Sequence, residues 1–140
     1  MEALLERAIL LAAEAHRGQR DKGGLPYILH PLAVMGKVDT LEAKAVAVLH
    51  DVVEDTAVTL QSLAELFPPD IVAAVDAISK YDNETNREYW SRVKANPLAL
   101  TVKLADIGHN TSPARMAALG EEEREYLKGK YERALAFLMM

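Results

Sequence analysis

Residues 48–56 read VLHDVVEDT and set four ionisable side chains, His50, Asp51, Glu54 and Asp55, inside an otherwise apolar stretch. At about 100° per residue, a helix through this run sweeps them over an arc of roughly 140°, in the order His50, Glu54, Asp51, Asp55, shared only with Ala47. The opposite side is Ala45, Val46, Val48, Leu49, Val52 and Val53, an apolar face that fixes the segment in a core and aims the polar face at a specific target. A solvated helix face mixes acids with Lys or Arg four residues away, whereas Asp51 and Asp55 repel each other at that spacing. A divalent cation relieves that repulsion. Imidazole plus carboxylate ligands suit manganese, iron, zinc or magnesium, and the remaining carboxylates are then free for proton transfer. The clustering alone leaves a second option open, a core histidine bonded to backbone with the acids at the surface.

The chain has 140 residues, half of them apolar, so a single domain over residues 1–140 is expected to bury its own core. Without cysteine there is no disulfide framework and no thiolate zinc site, which suits a cytoplasmic protein, and any metal must sit on His, Asp and Glu. Glu2 and Glu6 interrupt the N-terminal apolar pattern, unlike a signal peptide. No apolar run reaches the roughly 18 residues of a membrane span. A net charge of −5 argues against a nucleic-acid binder. Nothing in the sequence sets an oligomeric state.

Apolar residues recur at helical spacing almost throughout, which predicts an all-α helical bundle. The first helix is expected from about residue 2 to 15, ending in the glycine-rich loop HRGQRDKGG. A short helix follows from about Pro31 to Lys37, with Pro31 as its first residue. The central helix, capped by Asp39 or Thr40, is expected to run on to Asp55. Thr59 opens a helix to about Leu66, and Pro69 and Asp70 start the next, to about Ile78. A polar, mobile loop is expected at 80–85, then helices at about 86–94, from Pro97 to about Ile107, and from about Glu121 to the end.

A His-Asp pair cannot fill a coordination sphere, so further ligands should come from elsewhere in the chain. His30 is held between prolines in PYILHP, which suits a rigidly presented ligand. Asp106 lies in the aliphatic helix LALTVKLADIGHN, one turn after Lys103 and one before Asn110, and a buried acid needs a partner. Taken singly, a surface Lys103–Asp106 pair and a turn histidine explain these residues equally well; beside HDVVED they do not.

PYILHP, VLHDVVEDT and KLADIGHN, in this order, resemble the three signatures of the hydrolase domain of RelA and SpoT proteins, within the HD phosphohydrolase superfamily. The resemblance covers most of the chain. It implies an all-α domain that binds one divalent ion, usually Mn²⁺, and removes pyrophosphate from the 3′ position of the small nucleotides ppGpp and pppGpp. By motif position it implies His30, His50, Asp51 and Asp106 as metal ligands, Glu54 and Asp55 as catalytic acids, and Asn110 as a substrate contact. The chain's length resembles that of the small stand-alone hydrolases.

Two departures fall where substrate is chosen. Family members carry an Arg-Lys pair before the PYI-x-HP motif, whereas this chain reads Arg20-Asp21-Lys22, so Arg20 and Lys22 remain as substrate contacts around an acid. KLADIGHN has Ile107 where the family commonly has Arg. The same metal chemistry on NADPH or a nucleoside monophosphate is therefore one alternative, and a nucleotide-binding module without turnover another. Lys22, Lys103 and Arg115 are candidate phosphate grips. His16 reads as structural, His109 has no assigned role, and Tyr81, Tyr89 and Trp90 are base-pocket candidates, although aromatics at helical spacing are more often core.

Overall fold

Apart from Glu42 and Lys44 in its first turn, residues 41–49, LEAKAVAVL, are small or aliphatic, the composition of a helix surrounded by other helices. In the computed structural model, which describes residues 2–140, this helix is α3 (Leu41–Leu49) and it is the axis of the fold. Ala43 and every residue from Ala45 to Leu49 are buried, and α3 packs against α1 (Glu2–Ala15), α2 (Leu29–Met35), α6 (Pro69–Ile78) and α8 (Pro97–Asn110). Alanine and valine at these positions let four neighbours approach closely. Truncating a wholly buried side chain such as Leu49 costs about 2 to 5 kcal/mol in such a core.

The other helices are α4 (Val52–Asp55), α5 (Leu60–Leu66), α7 (Asn86–Ala95), α9 (Pro113–Ala117) and α10 (Glu121–Leu138). Among the described residues there is no strand, only an isolated antiparallel bridge between Arg20 and Pro26. The all-α expectation holds. Helix starts follow local chemistry: the Thr40 hydroxyl accepts from the Ala43 amide, Thr59 and Ser62 cap each other's backbone, as do Thr85 and Glu88, and Pro69 and Pro97 occupy first turns. The 80–85 loop is tied down, because Arg92 on α7 grips Glu84 through Nε and Nη2 at 2.7 and 2.8 Å.

Four boundaries depart from the sequence expectations. The central helix does not reach Asp55; it stops at Leu49, and α4 restarts at Val52. The His50 ring causes the break, since its Nδ1 lies 2.5 Å from the Ala47 carbonyl, the acceptor that the Asp51 amide would take in a continuous helix. Asp51 accordingly adopts φ −103°, ψ −5°. The short helix begins at Leu29 rather than Pro31 and ends at Met35; Pro31 is tolerated at the third position because first-turn amides lack intrahelical acceptors in any case. Helix α8 continues past Ile107 to Asn110, which places Asp106 and Asn110 on one rigid element, and α9 follows it with Pro113 at its start.

Candidate active site

Three segments of the fold deliver side chains to one point: α2 carries His30, the α3–α4 break carries His50 and Asp51, and α8 carries Asp106. His30 and His50 are 2% exposed and Asp106 5%, so none of them has water to satisfy it. Asp106 Oδ1 lies 2.8 Å from His30 Nε2 and 3.3 Å from His50 Nε2, and those three atoms fall within 4.8 Å of one another. Asp51 Oδ2 completes the approach, 3.1 Å from His50 Nε2 and 3.8 Å from His30 Nε2.

The far side of each ring decides what its near side can do. His50 Nδ1 donates to the Ala47 carbonyl, so a neutral ring turns the Nε2 lone pair toward the cluster. His30 Nδ1 sits 2.7 Å from His109 Nδ1, and burial, followed by the His30 charge, pushes His109 down to about 4. A neutral His109 accepts from His30 Nδ1–H, which leaves His30 Nε2 facing Asp106, where it donates a proton to the carboxylate or, once that proton is lost to a cation, offers a lone pair. Both rings are thus oriented as metal-binding histidines are, with the second nitrogen held by a partner. Two imidazole nitrogens, which give up their protons to a metal, and two carboxylates converging at one buried point are a donor set that fits a divalent cation. Burial alone would lower His50, but Asp51 and Asp106 beside it outweigh that and hold it well above its ordinary value.

Asp106 is anchored from two further directions, by Lys103 Nζ at 3.2 Å and Asn110 Nδ2 at 3.1 Å. Burial would raise its carboxyl; the Lys103 ammonium, then the His30 and His50 rings, hold it well below the usual range. The surface-pair option for Lys103 and Asp106 fails, since both are largely buried. Asp51 accepts a 2.5 Å hydrogen bond from the Tyr27 hydroxyl. Tyr27 is the clearest residue that sequence reasoning missed, although its place in the rigid PYILHP segment, three residues before His30, was a usable signal.

Glu54 and Asp55 line a cavity of about 290 Å³ whose wall includes Asp51 and Asp106. Glu54 Oε1 accepts from the Lys80 amide at 2.5 Å, and the Gln19 amide group donates to the Asp55 carbonyl at 2.9 Å. Both carboxyls are raised, first by partial burial, then in Asp55 by the charge of Asp51; in Glu54 the Lys80 hydrogen bond opposes the rise. Solvent still reaches both residues, so screening keeps these shifts modest. Tyr89, Trp90, Lys80, Lys130 and Tyr131 line the same cavity. Tyr89 is largely core, its hydroxyl donating to the Ile78 carbonyl, and Tyr81 lies elsewhere, against Arg92.

Arg20 and Lys22 are not brought to the acids. They wall a second cavity of about 590 Å³, which shares Tyr27, His30, Asn110 and Tyr131 with the first and has an aliphatic patch from Leu25, Leu29, Leu119 and Leu127 beside Arg20, Lys22 and Arg115. Lys22 is paired with Glu123. Asp21 Oδ1 accepts from the Gly23 and Leu25 amides, each at 2.9 Å, while Oδ2 faces Arg115 at 3.7 Å. Its carboxylate therefore folds its own loop. Ile107 is buried in the core, and His16 is buried with Nδ1 2.8 Å from Gln19 Oε1.

The HD domain family model matches residues 8–106. The chain is 33% identical to a probable GTP pyrophosphokinase of Mycobacterium leprae, over 88% of this chain and 17% of that protein. It is 35% identical to the bifunctional (p)ppGpp synthase/hydrolase SpoT of Escherichia coli K12, over 76% of this chain and 17% of that protein. The chain thus spans about one-sixth of the length of the curated relatives it matches. Among solved structures, one described as "A metazoan ortholog of SpoT hydrolyzes ppGpp and plays a role in starvation responses" superposes with a TM-score of 0.78. That match covers 97% of this chain and 85% of the other at 24% identity, a likeness of fold.

Proposed function

This chain belongs to the HD domain family, and from that premise we propose that it is a metal-dependent phosphohydrolase that removes the 3′-pyrophosphate of ppGpp and pppGpp. One observation carries the reading: His30, His50, Asp51 and Asp106 converge from three segments beside a cavity that His30, Asp51 and Asp106 line together with two further acids, Glu54 and Asp55. A single divalent ion, Mn²⁺ in this reading, is the occupant that four such donors suit, and when bound it supplies Lewis acidity to a phosphoryl oxygen and acidifies water. Relatives named as (p)ppGpp hydrolases support the choice of nucleotide.

The chain's own residues divide the remaining work. The larger cavity beside Asn110 takes the nucleoside, and Arg20 and Lys22 on its rim meet phosphate oxygens. Water adds to the phosphorus next to the sugar, the bond from that phosphorus to the 3′-oxygen breaks, and the departing oxygen takes a proton. In this reading Glu54 and Asp55 accept the proton from water and deliver one to that oxygen, and raised carboxyls suit the delivery. Tyr27 keeps the Asp51 carboxylate turned toward the histidines.

The Asp21 loop favours a second reading of the base alone. With Asp21 committed to its own loop amides and to Arg115, no arginine stands at that position to stack on guanine, which widens the field to other phosphorylated nucleotides, NADPH among them. Chromatography of products formed with added Mn²⁺ tests both. The alarmone reading expects GDP and pyrophosphate from ppGpp with the 5′-diphosphate intact. Phosphate release from NADPH or a nucleoside monophosphate, with no GDP from ppGpp, overturns it in favour of the second.

A further inference from the structure

The 290 Å³ cavity is lined by four acids, Asp51, Glu54, Asp55 and Asp106, and by three lysines, Lys80, Lys103 and Lys130, contributed by the start of the 80–85 loop, by α8 and by α10. Elements distant in sequence bring three ammonium groups to one concave surface, where they repel. Lys103 is accounted for by Asp106 at 3.2 Å and by the Tyr89 ring at 5.3 Å. The other two have no carboxylate partner among the described residues: Lys80 Nζ reaches only the neutral Asn86 Oδ1 at 2.8 Å, and Lys130 lies 6.0 Å from the centroid of the Tyr131 ring. Burial first, then Lys103 and Lys80, hold the Lys130 ammonium below its ordinary value, against a smaller opposing pull from Glu54 and Asp106. A concave surface that concentrates unanswered cations is complementary to an anion with several oxygens.

The anion's place follows from the arrangement around it. The larger cavity opens on one side of the His30–Asp106 cluster, and Lys80 and Lys130 line only the smaller, polar cavity on the other. Tyr131 borders both. A nucleoside in the large cavity with its attached phosphoryl group over the cluster would send any further phosphoryl group into the smaller cavity, toward Lys80 and Lys130. Glu54 lines the smaller cavity beside Lys80, its carboxylate held by the Lys80 amide.

We propose that Lys80 and Lys130 are specificity-determining residues that bind the distal phosphoryl group of a diphosphoryl substrate, selecting pyrophosphoryl over phosphoryl esters. The proposal rests on the metal-centre reading of the cluster and goes beyond it, because a site for monophosphate esters needs no cation at that place. The nucleobase does not enter.

Calorimetric binding of inorganic pyrophosphate and of inorganic phosphate to the Mn²⁺-loaded chain, freed of excess ion, is the test, with bound metal measured first. Wild type should bind pyrophosphate at least roughly tenfold more tightly than phosphate. Lys130→Met and Lys80→Met should each weaken pyrophosphate roughly ten- to a hundredfold, as loss of a charge-assisted contact does, with phosphate little changed. Lys130→Arg should restore the preference. Because Lys80 is exposed, its variant reports even if Lys130→Met folds poorly. Equal binding of the two anions by wild type, or a preference that survives Lys80→Met, overturns the proposal while leaving the metal centre standing. A chain that takes up no divalent ion overturns both.

Discussion

The molecule contains two dense charge networks of opposite design. Around Arg92 every strong group is answered: Glu84 accepts twice from the guanidinium, the Asp76 and Ser79 carbonyls accept at 2.8 and 2.7 Å, and the Tyr81 ring lies 5.1 Å from the guanidinium carbon. One cation meets one carboxylate bidentately, and that carboxyl is held at about 2, chiefly by its hydrogen bonds to Arg92. Around His30, His50 and Asp106 the count does not close. Asp51, Glu54, Asp55 and Asp106 share their cavity with three lysines, of which Lys103 alone is paired with any of them, and the two imidazoles must borrow protons to help. A closed network locks the 80–85 loop to α7; an open one stores demand for a cation the chain does not itself supply.

The largest effect should come from removing a donor in the open network. His50→Ala and Asp106→Asn are expected to abolish tight Mn²⁺ binding and to cut turnover by roughly a thousandfold or more, some 4 kcal/mol of transition-state stabilisation. Equilibrium dialysis and rate measurement check this, and wild-type metal affinity in either variant would mean the network is merely structural. Glu54→Gln and Asp55→Asn leave the four donors in place, so metal should remain while the rate falls, by about 10²-fold or more if these acids carry the protons. Unchanged metal with an unchanged rate would move proton transfer to another group, with His109, which touches the His30 ring, the first to test.

Arg92→Leu asks the converse question. It strands Glu84 and two carbonyls, one belonging to the buried Ser79, and should cost about 2 to 3 kcal/mol of stability by denaturant titration. Turnover per folded molecule should be unaltered. A rate loss as deep as that of Glu54→Gln would erase the distinction between the two networks.

The two networks also differ in how far the sequence foretold them. Helices α1, α5 and α6 begin and end where proline, threonine and apolar spacing say, because those signals act within a few residues. His30, His50, Asp51 and Asp106 were visible because their residue types conflict with their apolar surroundings. The break between α3 and α4 was not, since periodicity is blind to a side chain such as His50 taking its own helix's carbonyl. Lys130 and Tyr131 lie in EEEREYLKGKYERALAF, where charged residues are ordinary, and only the docking of α10 on α7 and α8 carries them to the cavity. Asp21, read as a change in base recognition, is first of all a loop staple.

The smallest expected effect is the most discriminating, because the two networks should respond to pH with opposite signs. Arg92 depresses Glu84 from its ordinary 4.5 to about 2, so ionised Glu84 adds stability that is fully present above pH 4.5 and lost as pH falls toward 2. Glu84→Gln keeps the volume and an acceptor oxygen but not the charge. It should melt below wild type at pH 7 and converge with it as the pH approaches 2. Solvent around this loop screens the pair, so the gap should be a fraction of the Arg92→Leu loss. In the metal-free chain Glu54 is shifted the other way, upward, by partial burial. The folded state then holds its proton longer than the unfolded state, and wild type loses stability as pH rises from 4.5 through the folded value. Glu54→Gln carries no such proton and should be at least as stable as wild type at pH 7, converging with it in acid. Thermal melts of the three metal-free proteins from pH 7 to pH 3 decide the matter: if Glu54→Gln is the less stable variant at pH 7, the acids of the cavity are satisfied without a cation and the network around Asp106 is as closed as the one around Arg92.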